Sequence, residues 1–197
     1  MDDAGRRAFA DELYSAGRAH DAAEPDRVRR WRNVEPETAE LLGVLVRAAR
    51  ATRVLEIGTS NGYSTIWLGD AVEETGGAVV TLEIEPARTA LAAEHVARAG
   101  LRDRVDLRTE DAGRALARFP DSAFDLVFLD AERDAYAGYW PALVRTLAPS
   151  GLLAVDNVLS HAAELVEFRA TVDADDRVTQ ALVPVGAGVL LAVRRPA

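Results

Sequence analysis

The chain has 197 residues, a formal net charge of −9 and 49% hydrophobic residues. That size and apolar content fit one packed domain over residues 1–197 and exclude a disordered chain. The acidic balance excludes a broad nucleic-acid surface, no apolar run approaches the ~20 residues of a membrane helix, and the absence of Cys excludes disulfides, zinc–thiolate sites and a thiol nucleophile.

The opening residues, MDDAGRRAFADELYSAG, lack the continuous apolar core of a secretory signal, so a cytoplasmic protein without membrane attachment is expected. Residues 1–50 read as helical. EPETAELLGVLVRAAR (35–50) is the clearest amphipathic stretch, with Pro36 at a first helical position. From residue 51 onward, short apolar runs alternate with helix-like segments. RVLEIG (53–58), AVVTLEIE (78–85), RVDLRTE (104–110), FDLVFLD (124–130) and GLLAVDN (151–157) read as strands. Amphipathic segments lie near 62–73, 86–99, 111–118 and 134–147. This alternation predicts an α/β doubly wound parallel sheet with helices on both faces. A helix near 161–172, with Ser160 as N-cap and Glu164 in its first turn, then leads to RVTQALVPV (177–185). A GAG turn joins that run to VLLAVRR (189–195), which predicts a C-terminal antiparallel hairpin.

Ligands of open α/β sheets bind beyond the C-terminal ends of the strands. VLEIGTSNGYST (54–65) sits at such an end. Gly58 and Gly62 allow a sharp turn and close approach of backbone to a ligand, although a plain tight turn would use glycines equally. The pattern E-x-G-x-x-x-G is not the G-x-G-x-x-G of dinucleotide sites, which disfavours a nicotinamide oxidoreductase. Glu83 ends the second strand, where an acid can accept hydrogen bonds from ribose hydroxyls. Asp130 ends the fourth strand, and Asp156 and Asn157 end the fifth. Two carboxylates and an amide oxygen there suit a hard divalent ion such as Mg²⁺, though acids at strand ends also serve as helix caps.

VLEIGTSNGYS, TLEIEP, FDLVFLDAERDAY and VDNV, in this order and spacing, resemble the S-adenosylmethionine-dependent O-methyltransferases of the catechol and caffeoyl-CoA type, as a bacterial member. The resemblance runs from about residue 33 to 195. It implies a Rossmann-like class I methyltransferase, with a seven-stranded, mostly parallel sheet ending in the hairpin. Residues 1–50 would cover the cofactor and substrate side of a 51–197 core. It also implies S-adenosylmethionine as cofactor. The backbone around Glu56, Gly58, Ser60 and Gly62 would face its methionine part, with the Ser64 hydroxyl near the carboxylate. Glu83 would hold the ribose, Asp111 and Ala112 would lie beside the adenine, and Val34 falls where the family closes over the cofactor. Asp130 would serve cofactor, metal and catalysis; Asp156 and Asn157 would complete a site for Mg²⁺, Mn²⁺ or Ca²⁺. The implied partners are a small hydroxylated acceptor, catechol-like or a vicinal diol, and a second copy in a homodimer.

Two departures from the family pattern stand out. Arg133 occupies the place of a Lys that helps to deprotonate the acceptor, and Arg has no acceptor atom with which to do so. It keeps an electrostatic role toward a phenolate. The segment after Asn157 is short and passes almost directly into helix, which suggests an open pocket and speaks against a CoA-bearing acceptor. Among the remaining candidates, His161 is near enough to Asn157 to act as a base, while His20 and His95 read as surface residues. Trp140, Tyr136 and Tyr139 read as helix packing, with Tyr136 near enough to wall the pocket. Trp31 and Trp67 read as core or interface. A metal-independent methyltransferase and a cofactor-binding protein without turnover are the competing readings.

Overall fold

A computed structural model describes residues 1–196. In chain order the elements are α1 (Asp3–Ala23), α2 (Pro36–Ala48), β1 (Arg53–Ile57), α3 (Tyr63–Thr75), β2 (Ala78–Glu83), α4 (Pro86–Arg98), β3 (Val105–Thr109), α5 (Ala112–Arg118), β4 (Phe124–Leu129), α6 (Tyr136–Thr146), β5 (Leu147–Val155), α7 (Val166–Asp173), β6 (Val178–Val183) and β7 (Val189–Arg194). Local chemistry sets several boundaries. Pro36 and Pro86 open α2 and α4, where a missing N–H costs nothing. Asp2 caps α1 through the Gly5 amide, and Asp111 caps α5 through the Arg114 amide. Gly76 ends α3 in the left-handed conformation.

The seven strands form one sheet in the order β3-β2-β1-β4-β5-β7-β6. β1 to β5 are parallel where they pair. β7 runs antiparallel to both β5 and β6, so the hairpin inserts its second strand next to β5 and leaves β6 at the edge. Each central strand is buried on both faces. Val54, Leu126 and Phe128 face a core shared with α1 to α4. Leu55, Ile57, Val127 and Leu129 face a second core built with α5, α6 and α7. A half-buried ion network ties the N-terminal helices to this frame. Arg6 on α1 reaches Asp70 and Glu73 on α3, and Arg47 on α2 reaches the same Asp70. Among the described residues no helix is long and apolar enough to cross a membrane.

Two boundaries differ from expectation. β5 begins at Leu147, four residues before the expected start. The last helix begins at Val166, not near 161, and residues 158–165 make turns instead. Ser160 is therefore no N-cap. Its hydroxyl is held by Asn157 and lies 2.8 Å from His161 Nδ1.

Candidate active site

Strand register brings the predicted residues together. Ile57 is paired with Leu82 on one side and Leu129 on the other, and Leu129 is paired with Val155. The next residues, Gly58, Glu83, Asp130 and Asp156, therefore emerge side by side at the C-terminal ends of the strands. This is where the strand order reverses, between β1 and β4. A cavity of about 510 Å³ opens there.

Its floor is the turn after β1. Gly58 has φ +104, and a Cβ at that position would lie 1.9 Å from the Asp130 carbonyl oxygen. Only glycine lets the two loops approach so closely. Gly62, at φ +86, starts α3. Beneath the turn Glu56 is fully buried and accepts hydrogen bonds from Ser64, Thr65 and Thr81. Burial raises its pKa to about 7, against the pull of those three hydroxyls. Glu56 does not border the cavity; it holds the first turn of α3 in place from below. Ser64 borders the cavity while donating to Glu56, which leaves its hydroxyl oxygen able to accept. His95, half-buried rather than on the surface, supports the same turn through the Asn61 carbonyl, 2.7 Å away.

One wall is formed by Glu83, whose carboxylate accepts from the Ser60 and Glu85 amides, together with Asp111, Ala112 and Tyr139. Tyr139, not Tyr136, reaches the cavity. Tyr136 is fully buried, and its hydroxyl is bonded to the Ala131 backbone. The mouth is crossed by the segment between α1 and α2. Asp21 accepts from the Trp31 and Arg32 amides, Ser60 donates to the Trp31 carbonyl, and Arg32 pairs with Glu132 at 2.7 Å. Trp31 stacks on His20 at this rim instead of entering the core, whereas Trp67 packs against the core. Val34 is buried and lines the same wall.

At the other end Asp130, Asp156 and Asn157 converge. Asn157 Nδ2 donates to Asp130 at 3.0 Å and to Asp156 at 3.1 Å. The second oxygen of Asp156 is buried with no partner. Burial raises the pKa of both carboxyls; the charge of Asp130 raises Asp156 further, whereas Arg32 and Arg133 draw Asp130 back. Two crowded carboxylates, one with an unmatched oxygen, match a hard divalent cation. Among the described residues no three His, Cys, Asp or Glu side chains cluster for a metal, so any such site depends on Asn157 as third member. Arg133 is buried and donates to Glu164 at 2.6 Å. His161 lines the cavity beside it; burial and the Arg133 charge lower its pKa. Arg32, Ser60 and Asn157 all have positive φ without being glycine, a concentration of backbone strain around one cavity.

Within residues 27–35, sequence reasoning named only Val34 as a cavity residue. Trp31, Arg32, Asn33 and Glu35 all line the cavity. The available signal was a Trp inside a polar stretch bracketed by Pro25 and Pro36, unusual for a plain linker.

A seven-stranded sheet of this order, with its cavity at the β1/β4 switch point, has the class I methyltransferase fold. The O-methyltransferase of Bacillus cereus, solved in complex with S-adenosylhomocysteine, superposes with a TM-score of 0.80 at 28% identity, over 95% of this chain and 91% of that one. The O-methyltransferase family profile matches residues 25–195, and the chain belongs to that family. It is 37% identical over 155 residues to the catechol O-methyltransferase of Mycobacterium tuberculosis, covering 79% of this chain and 68% of that enzyme. It is 34% identical over 138 residues to the catechol O-methyltransferase of Niastella koreensis, covering 68% of this chain and 62% of that enzyme. The match thus spans slightly less than two thirds of one relative and slightly more of the other.

Proposed function

We propose that this chain acts as a single S-adenosylmethionine-dependent O-methyltransferase domain, assisted by a divalent metal ion. Its acceptor would be a small catechol-like compound or other vicinal diol. The observation that carries the reading is the convergence of Asp130, Asp156 and Asn157 at one end of the cavity that Gly58, Ser60 and Glu83 floor and wall. In this reading the backbone at Gly58, Ser60 and Gly62, with Ser64, holds the methionine part of the cofactor. Glu83 holds the ribose, Asp111 and Ala112 flank the adenine, and Val34 covers it. Asp130, Asp156 and Asn157 would hold Mg²⁺ or Mn²⁺, with the Asn157 amide oxygen as the neutral donor. A bound divalent ion supplies Lewis acidity that favours the ionised acceptor hydroxyl, whose unperturbed pKa is about 10 for a phenol. Arg133 stabilises the negative oxygen but takes no proton. The segment around Trp31 and Arg32 excludes water from the cavity. A homodimer and a cytoplasmic location belong to the same reading, and sedimentation of the purified chain checks the first.

The test is calorimetric titration of Mg²⁺, then Mn²⁺, into protein saturated with S-adenosylhomocysteine, with Asp156→Ala alongside. About one site per chain, lost in the variant, is expected. Cofactor binding without any metal binding would remove the metal from the mechanism. His161, on the cavity wall with a lowered pKa, would then be the base to test.

A further inference from the structure

Four guanidinium side chains line the cavity: Arg27, Arg32, Arg88 and Arg133. Three are engaged. Arg32 pairs with Glu132, Arg133 pairs with Glu164, and Arg88 donates to the Arg30 carbonyl. Arg27, on the 3-10 turn Arg27–Arg29, is exposed and makes no hydrogen bond or ion pair with a described residue. Its charge reaches Glu132, His161 and Glu164, which puts it at the Asp130–Asn157 end of the cavity, away from Asp111 and Ala112. At that end the pairs Arg32–Glu132 and Arg133–Glu164 each sum to zero. That leaves Arg27 as the cavity-lining guanidinium at this end without an ion-pair partner among the described residues; the remaining carboxylates there accept from other groups, Glu35 from Tyr14 and Asp130 and Asp156 from Asn157.

A cation at the rim of a concave cavity acts more strongly on a ligand inside it than the same cation on open surface. A guanidinium also matches a carboxylate with two parallel N–H donors. We propose that Arg27 is the anion-reading wall of the acceptor subsite, and that the preferred acceptor is a small vicinal diol bearing a carboxylate remote from its reacting hydroxyls. This rests on the methyltransferase reading above and narrows its substrate class. A neutral or cationic diol leaves Arg27 unmatched.

The test compares 3,4-dihydroxybenzoate with 4-methylcatechol, which differ in one charged substituent. Each is titrated calorimetrically into protein saturated with S-adenosylhomocysteine and Mg²⁺, and each is assayed for methyl transfer from S-adenosylmethionine. Wild type, Arg27→Gln, Arg27→Lys and Arg27→Glu are run together. The carboxylate is expected to bind about tenfold tighter than the neutral diol in wild type. That ratio should fall toward one in Arg27→Gln, survive in large part in Arg27→Lys, invert in Arg27→Glu and shrink with added salt. Equal affinities in wild type, or a ratio unchanged in Arg27→Gln, overturn the subsite. Methylation of both diols without preference would overturn it while the proposed function stands. An Arg27-dependent binding preference without methyl transfer would leave the subsite standing and sink the proposed reaction. No binding of either diol would overturn both.

Discussion

Arg133 combines burial, a fixed bond to Glu164 and a place beside Asp130, yet it offers five donors and no acceptor. It can hold a negative oxygen in place but cannot generate one. Arg133→Lys restores a side chain that can exchange a proton, so methyl transfer should be kept or raised. Steady-state rates decide this, and a loss beyond about tenfold would show that Arg133 does not occupy the position assigned to it. The carboxyl pair allows a second residue-scale prediction. The folded-state pKa values of Asp130 and Asp156 are raised above those of an unfolded chain, chiefly by burial. Near neutrality the folded protein therefore retains protons that the unfolded chain releases. Their contribution to stability is fully present below the unfolded value near 4 and is lost as pH rises through the folded values. In metal-free protein, Asp156→Asn should gain melting temperature relative to wild type on going from about pH 5 to about pH 8. Mg²⁺ should raise the wild-type melting temperature more at the higher pH, because a cation binds the deprotonated pair. A gap between variant and wild type that does not change with pH would contradict the raised pKa values.

The decisive element is the β1–α3 connection. β1 ends because the chain must turn under Asp130, and Gly58 makes that turn with its φ of +104. Gly58 N donates to the Leu82 carbonyl and Asp130 N donates to the Ile57 carbonyl, so one turn ties β2, β1 and β4 at the cavity floor. Gly58→Ala adds both an unfavourable φ and an overlap with backbone that no side-chain motion relieves. Urea unfolding should show a loss of about 3 kcal/mol or more, with S-adenosylhomocysteine binding abolished. A wild-type midpoint would mean that the β1 and β4 loops do not meet in this way. α7 illustrates the opposite case, an element whose start moved. The Val158 amide, with those of Leu159 and Ser160, bonds to the β6–β7 turn at Gly188 and Ala187, which holds 158–165 in turns until Val166 is free to begin a helix.

Across the whole molecule, the strand ends of the sheet and the segment between the two N-terminal helices line one cavity. The arginine network on α3 fixes α1 and α2, and between them residues 27–35 span the cavity mouth. Asp21 is the anchor of that span, since its two oxygens take the Trp31 and Arg32 amides at 2.7 and 2.8 Å. Asp21→Ala removes the anchor without touching either core. Affinity for S-adenosylhomocysteine should fall about tenfold while the melting temperature of the ligand-free protein barely moves. Hydrogen exchange should rise in residues 27–35 alone. A large fall in melting temperature with unchanged affinity would make the span a structural element instead of a closure.

The sequence by itself determined the sheet and the position of the site. Strands buried on both faces read as continuous apolar runs, so the five parallel strands and the final hairpin were visible from local composition. Gly58, Glu83, Asp130, Asp156 and Asn157 were legible because each directly follows or ends such a run, and strand ends are where open α/β sheets bind ligands. Family membership followed from the same residues in the same order. What only the tertiary structure decided depends on contacts between distant segments, which no local pattern encodes. Pairing register converted four separate strand ends into one cavity. Burial under three hydroxyls set the Glu56 side chain beneath the turn whose backbone was expected to face the cofactor. The approach of residues 27–35 brought Trp31, Arg32 and Arg27 to the mouth, and Tyr139 replaced Tyr136 at the wall because helix phase, set by packing against Phe168, turned Tyr136 inward.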